Sequence, residues 1–237
     1  MMTNKNFKIL AASTSTVYGS GYLEYILDSA AEFLQTDEIL FIPYARPSGV
    51  TYDEYTESPR KAFAQRNISV KGIHEFDDPK SAILNAKAIF TGGGNTFLLL
   101  KTLYELDLME ALKKAVSKGM PYMGSSAGTN LTGMTIGTTN DMPIVYPSSF
   151  EALGFLPFNI NPHYLDPDPN STHKGETRET RIKEFHKFNS QAVLGLREGS
   201  WLEVSNGEIQ LKGNLPARLF RQGGEPVELE CGRIDLY

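Results

Sequence analysis

Two periods of apolar and polar positions alternate along the first half of the chain. Short continuous apolar runs, Phe7–Ala12, Glu38–Pro43 (EILFIP), Ile68–Ile73, Ala88–Thr91 (AIFT) and Met120–Met123, predict strands. Between them, apolar residues recur three and four apart. Tyr22, Leu23, Ile26, Leu27, Ala30 and Leu34 predict a helix over Tyr22–Leu34. A second helix is predicted over Tyr52–Gln65, interrupted near Pro59, because a proline removes one backbone donor. A short helix follows the turn Asp77-Asp78-Pro79 and runs through Ala86. Phe97–Leu106 and Leu108–Lys118 predict two more, the latter stopped by Gly119. From Gly133 the pattern is irregular through Pro147, Pro157 and Pro162. A helix over Glu176–Phe188 is followed by three strands, Val193–Leu196, Ser200–Val204 and Glu208–Lys212, with Asn206-Gly207 as a hairpin turn. Strands alternating with helices predict an α/β fold, a mostly parallel sheet flanked by helices on both faces. No repeat or linker-like run divides the chain, so residues 1–237 are read as a single domain.

Composition narrows the function classes. Hydrophobic residues make up 41% and charged residues 22% of the 237 positions, which excludes a disordered chain. With 23 basic against 28 acidic residues the net charge is −5, and no basic block interrupts it. That argues against a nucleic-acid-binding surface. Cys231 is the single cysteine, so no intrachain disulfide framework exists. The apolar run Ile9–Ala12 is too short for a signal-peptide core, and no run of 18 apolar residues follows. A cytoplasmic location is expected.

The candidate chemistry begins at Gly124-Ser125-Ser126-Ala127-Gly128, which fits Gly-x-Ser-x-Gly after an apolar strand and before a small-residue run. A nucleophile on a sharp strand-to-helix turn needs small neighbours, and the turn aims the next N–H, of Ala127, at a developing oxyanion. A plain Ser/Gly loop is the alternative. The serine needs a base. Among His74, His163, His173 and His186, the histidine in Asn161-Pro162-His163 is favoured, because the proline stiffens the backbone before it. His186 reads as a solvated helix residue beside Lys187. Two acids could orient His163: Asp141, in a polar knot (TTNDMP), and Glu198, just past the strand Val193–Leu196. Spacing does not choose between them. Gly92-Gly93-Gly94 lacks the further glycine or lysine of a nucleotide loop. Its N–H groups suit an oxyanion, or simply a tight turn. No pair of histidines or cysteines has metal-ligand spacing, so neither metal nor cofactor is expected.

The stretches FIPYA, TYDEYT, TGGGNTFLLLK, MGSSAGTNL, TTNDMPIV, INPHY, HKGETRETRI and LREGSWLEVSNG together resemble the peptidase E (alpha-aspartyl dipeptidase) family of serine peptidases, over nearly the whole chain. The resemblance implies a fold related to class I glutamine amidotransferases, of flavodoxin-like type, with serine as nucleophile. It implies Ser126 as nucleophile, His163 as base, and Asp141 or Glu198 as the third member. It implies oxyanion donors at Gly94 and Ala127, and Arg178 as the residue that binds the substrate's aspartate side chain. Without it, Arg178 reads as a solvated helix charge pairing with Glu176 or Glu179. The activity implied is hydrolysis of dipeptides and some short peptides that begin with Asp. The expected partner is such a peptide, with no nucleic acid or membrane, and the chain would act as a monomer or homodimer. The rivals are a cyanophycinase-like exopeptidase and a non-catalytic binding module on the same fold. An amidotransferase would want cysteine at position 126. The acid- and proline-rich loop Tyr164–Thr172 could alter access or specificity.

Overall fold

Side chains of successive strand residues point to opposite faces of a sheet, and this divides the protein into two helical layers. The computed structural model describes residues 7–47, 49–168, 170, 172 and 175–235. Strands β1 (Ile9–Ala12), β2 (Glu38–Ile42), β3 (Ser69–Gly72), β4 (Ile89–Thr91) and β5 (Tyr122–Ser125) pair in parallel, in the order β1-β5-β4-β2-β3. Ile9, Ala11, Leu40, Ile42 and Ile89 join one core cluster with residues of α3 (Pro79–Asn85), α4 (Thr96–Glu105) and α5 (Met109–Ser117). Leu10, Ala12, Ile39, Phe41 and Phe90 face the other way, against α1 (Leu27–Leu34) and α2 (Tyr52–Ala64). Both faces are covered, as a parallel sheet requires.

The sheet continues past β1 through the antiparallel strands β8 (Ser200–Ser205), β9 (Glu208–Gly213) and β12 (Gly232–Ile234). A second, four-stranded sheet holds β6 (Asn159–Pro162) and β7 (Val193–Leu196), which are parallel, then β10 (Ala217–Phe220) and β11 (Val227–Leu229). Its residues Ile160, Leu194, Leu196 and Leu219 belong to the same core cluster as Ile9 and Leu40. Short α6 (Ala127–Asn130) and α7 (Arg178–Phe185) complete the described helices. None is long and apolar enough to cross a membrane among the described residues.

Several sequence expectations are corrected. The first helix starts at Leu27, because Leu23 at φ 58° puts turns in place of its first residues. Pro59 does not interrupt α2, which runs unbroken through it. The proline side chain is buried, and a capping box between Thr51 and Glu54 secures the start. β5 does not end at Met123 but continues to Ser125. The irregular stretch after Gly133 hides β6, and β10, β11 and β12 were not predicted. His186 is buried rather than solvated, with Nε2 against the Gln191 carbonyl at 2.9 Å.

An ion network ties the second sheet to the loops above it. Arg197 bonds both oxygens of Asp166, at 2.8 and 2.7 Å, and both of Glu228, at 2.9 and 3.1 Å. Arg218 joins Glu228 to Glu179 on α7. The Arg197 hydrogen bonds hold the Asp166 and Glu228 carboxyls below their usual range, and Lys183, then Arg218, do the same for Glu179. Depressed carboxyl values stabilise the fold above their unfolded pKa, and that contribution is lost as pH falls through the folded values. Arg197→Met should therefore lower Tm at neutral pH. The gap from wild type should narrow below about pH 4, where the carboxylates protonate in both proteins. Thermal melts from pH 7 to pH 3 test this; a gap independent of pH would assign Arg197 a packing role instead.

Candidate active site

The carboxyl ends of the parallel strands, the edge where open α/β sheets place their ligands, meet at Ser126. This residue joins β5 to α6 with φ 53° and ψ −109°, a conformation rare for a residue with a β-carbon. Two glycines make the turn possible. A β-carbon on Gly124 would lie 2.4 Å from the Gly128 carbonyl oxygen, and one on Gly128 would lie 2.2 Å from that of Thr91. Hydrogen bonds hold the turn: Ser126 N–H donates to the Ala12 carbonyl at 3.2 Å, and the Thr129 and Asn130 N–H groups donate to the Ser126 carbonyl at 2.9 Å. Ser125 is buried with no partner on its hydroxyl, whereas Ser126 Oγ lies 2.9 Å from His163 Nε2.

Strand register brings the histidine and its carboxylate together. β6 and β7 are parallel neighbours with Pro162 opposite Leu196, so His163 and Glu198 emerge side by side just beyond that pair. His163 Nδ1 lies 2.5 Å from Glu198 Oε1. About two-fifths of each side chain is exposed, 36% for His163 and 43% for Glu198, so the pair faces solvent and small solutes directly.

Asp141 lies elsewhere. Its Oδ2 accepts from Thr96 N–H at 2.7 Å, Thr96 Oγ1 at 2.6 Å and Thr139 Oγ1 at 3.1 Å. Thr96 opens α4, so the carboxylate sits on a helix N-terminus, where a negative charge is favourable. The next residue back, Asn140, donates to the Pro162 carbonyl at 2.7 Å and accepts from Asn161 at 2.8 Å. The TTNDM knot thus clasps the start of α4 to the end of β6. The structure puts Glu198, not Asp141, on the histidine.

The Gly92–Gly94 loop lies against the serine. A β-carbon on Gly93 would be 3.0 Å from Ser126 Cβ. Gly94 has φ 140°, and a β-carbon there would meet the Ala45 carbonyl at 2.3 Å. The loop is tethered at Gly92 N–H to Ile42, at Asn95 N–H to Ala45, and by Tyr55 Oη, which donates to the Gly93 carbonyl at 2.9 Å. The N–H groups of Gly93, Gly94 and Ala127 carry no bond to the protein among the described residues, so three donors on the glycine loop and on the residue after the serine are uncommitted. Tyr55 was not singled out from sequence, because 38 residues separate it from Gly93 and no local pattern marks the contact.

Arg178 is the first residue of α7, whose N-cap is Thr177. It lines an open cleft of about 570 Å³ with Asn140, Leu165, Asp166, Thr177 and Arg181. The pairing with Glu176 or Glu179 read from sequence is absent: Glu179 binds Lys183 and Arg218, and Glu176 faces Arg181 at 3.9 Å. Among the described residues Arg178 has no ion-pair partner. Burial lowers its pKa first and the Arg181 charge second, with Asp141 opposing them. His74 bonds Asp53 at 3.0 Å, away from this cluster, and His173 lies outside the described residues. No group of three or more His, Cys, Asp or Glu is disposed to hold a metal among the described residues.

A hydroxyl 2.9 Å from an imidazole, itself fixed by a carboxylate, can lose its proton as it attacks a carbonyl carbon. The neighbouring N–H donors can receive the negative charge that results. The comparisons with known proteins agree with acyl-transfer chemistry. The family model described as "Peptidase family S51" matches residues 9–212. The chain is 54% identical over 225 residues to "Peptidase E" of Streptomyces coelicolor, covering 94% of this chain and 91% of that protein. It is 45% identical over 225 residues to the "Probable alpha-aspartyl dipeptidase" of Drosophila melanogaster, covering 93% and 92%. The crystal structure of a peptidase from an acI-B1 Actinobacterium shares the fold, with a TM-score of 0.70 at 16% identity over 95% of this chain and 98% of that one.

Gly93→Ala offers a direct check on the geometry. The backbone at Gly93 is not in the left-handed region, so the fold should tolerate alanine, but its methyl would stand 3.0 Å from Ser126 Cβ and 3.6 Å from Oγ. Labelling of Ser126 by a fluorophosphonate should slow by at least about tenfold, in line with the cost of a displaced reacting group. An unchanged labelling rate would mean that the loop does not border the nucleophile in solution.

Proposed function

Because the chain belongs to peptidase family S51, we propose that it hydrolyses the peptide bond following an N-terminal aspartate in dipeptides and short peptides, with Ser126, His163 and Glu198 as the catalytic trio. The observation that carries this reading is the continuous chain Ser126 Oγ to His163 Nε2, and His163 Nδ1 to Glu198 Oε1. Ser126 Oγ attacks the aspartyl carbonyl carbon while His163 Nε2 takes the hydroxyl proton. Glu198 holds the ring through Nδ1–H and stabilises the imidazolium as it forms. The oxyanion gathers hydrogen bonds from Gly94 and Ala127, with Gly93 adjoining. The tetrahedral adduct collapses, the C–N bond breaks, and His163 returns its proton to the departing amine. Water, deprotonated by the same imidazole, then attacks the aspartyl ester; the C–Oγ bond breaks, His163 returns the proton to Ser126 Oγ, and aspartate is released.

Arg178 supplies the specificity in this reading. A half-buried guanidinium with no carboxylate paired to it among the described residues is prepared for one brought by the substrate, and its fork matches a carboxylate in plane. Asn140 borders the same cleft and bonds the residue before His163, which links the cleft to the reacting centre. Short peptides arise in the cytoplasm, where the exposed thiol of Cys231 is also at ease, and we place the enzyme there.

Ser126→Ala should lower kcat for Asp-Leu by roughly 10⁴- to 10⁶-fold with the fold intact. Glu198→Gln should cost roughly 10²- to 10⁴-fold in kcat, because the amide misorients the ring. Glu198→Gln should add almost nothing on the Ser126→Ala background. Asp141→Asn keeps the position's shape and should cost far less than Glu198→Gln in kcat. A larger loss for Asp141→Asn would restore that residue to the relay.

Arg178→Met should lower kcat/KM for Asp-Leu by roughly 30- to 3,000-fold, the equivalent of about 2–5 kcal/mol for one partner of a charge-assisted pair. Ala-Leu, if cleaved at all, should fall much less, and Arg178→Lys should recover only part of the loss. The same panel, extended to isoaspartyl and aspartyl-arginine substrates, separates the dipeptidase from a cyanophycinase-like activity. An Asp-Leu to Ala-Leu ratio unmoved by Arg178→Met would transfer specificity to another residue.

A further inference from the structure

Ser13, the first residue after β1, is fully buried and bonds three separate segments. Its N–H donates to the Ser200 carbonyl at 3.1 Å. Its Oγ donates to the Leu196 carbonyl at 2.7 Å and accepts the His163 N–H at 2.9 Å. Leu196 closes β7, two residues before Glu198. His163 has φ 53°, so its backbone has left the β6 ladder, and its N–H would be an orphan without an acceptor placed for it. A hydroxyl suits this position because one oxygen can both donate and accept. The preceding residue completes the junction: the Ala12 carbonyl receives the Ser126 N–H at 3.2 Å and the Thr129 hydroxyl at 2.6 Å.

We propose that Ser13 is a positioning residue for the trio, its buried hydroxyl holding the backbone of His163 against the strand that carries Glu198. It acts through His163 and Leu196 and touches no reacting atom. The end of β1 then fixes the serine through Ala12 and the histidine through Ser13, so two adjacent residues, the last of β1 and the one after it, help set the Oγ–Nε2 separation. Without the hydroxyl, the His163 N–H loses its acceptor, and the turn is left to its neighbours, the Pro162 carbonyl held by Asn140 at 2.7 Å and the Tyr164 N–H that donates to the Leu196 carbonyl at 3.1 Å. The inference rests on the reading of Ser126, His163 and Glu198 as a hydrolytic trio.

The test compares wild type, Ser13→Ala, Ser13→Cys and Thr132→Ala. Thr132 is an equally buried residue whose hydroxyl donates to the Thr129 carbonyl at 2.7 Å and bonds no member of the trio. Three quantities are read: kcat and KM for Asp-Leu, the rate of fluorophosphonate labelling, and hydrogen exchange at the His163 amide. Ser13→Ala should lower kcat by roughly 10- to 100-fold, the scale of a displaced catalytic group. KM should stay within about twofold, because Arg178 is untouched. Labelling should slow in parallel and the His163 amide should exchange faster. Ser13→Cys, a weaker hydrogen-bonding group, should fall between. Thr132→Ala should lose stability but not kcat.

Wild-type kcat and labelling in Ser13→Ala would overturn the proposal. So would an equal loss in Thr132→Ala, which would reduce the effect to stability. If Ser13→Ala does not fold, Ser13→Cys carries the comparison. Wild-type protein that labels but does not cleave Asp-Leu would refute the substrate reading alone, and labelling would still read Ser13. Wild-type protein that neither labels nor cleaves would refute the trio and the role of Ser13 with it.

Discussion

Two residues with β-carbons, Ser126 and His163, hold left-handed backbone conformations and face each other at 2.9 Å. Each such conformation costs of order 1–3 kcal/mol and persists only where its surroundings over-determine it. The rest of the site is arranged around that requirement. Gly124 and Gly128 remove the side chains that would block the serine turn, and the Ala12 carbonyl anchors it. Pro162 stiffens the chain before His163, and Ser13 receives the N–H that the turn releases. Bringing an oxygen to a nitrogen lone pair across a sheet edge requires both strands to turn sharply outward there. Regular strand ends would leave the side chains alternating above and below the sheet.

The half of the fold that was legible in the sequence is the half with one period per element. β1, β2, β4 and β5 are buried on both faces and stand out as apolar runs between amphipathic helices, whereas the edge strand β3 alternates exposed and buried residues. Ser126 was legible for the same reason, since its motif follows a plain strand. β6 was not legible. Its four residues, Asn159 to Pro162, include two buried asparagines whose amides bond Thr135, Thr138 and Asn140. A buried amide bonded inside the protein looks like a surface residue in one dimension. The choice between Asp141 and Glu198 was closed to sequence for a related reason. It depends on β6 and β7 being adjacent and on Pro162 lying opposite Leu196, and no spacing along the chain encodes either fact. Pro59 and His186 were misread from local rules that burial overrides.

The arginines divide according to what the protein has given them. Arg197 receives Asp166 and Glu228, Arg218 shares Glu228 and adds Glu179, and hydrogen bonds to those carboxylates raise the pKa of each arginine. These residues brace the loops that carry Glu198 and the helix that carries Arg178. Arg178 receives none among the described residues, and burial lowers its pKa instead. Partial burial of an unmatched charge is unfavourable in the free protein, because solvation is lost and no counter-charge replaces it. An arriving carboxylate would recover that loss on binding, which is the physical basis of the selectivity proposed for this position, an anion over a neutral side chain of similar size.

Asp141 completes this electrostatic division although it does not touch the histidine. Its field favours the charged form of Arg178, yet its Oδ2 is committed to the Thr96 N–H, the Thr96 hydroxyl and the Thr139 hydroxyl. Three donors and the start of α4 stabilise its negative charge in place. It therefore biases the cleft without occupying the guanidinium. The same bonds keep the 139–142 segment on α4, and Asn140 keeps it on β6, so the glycine loop ahead of α4 and the histidine after β6 share one support. A charge placed to act at a distance and a clasp placed to act by contact are here the same residue. That is why a carboxylate can matter to such a site without belonging to its proton relay.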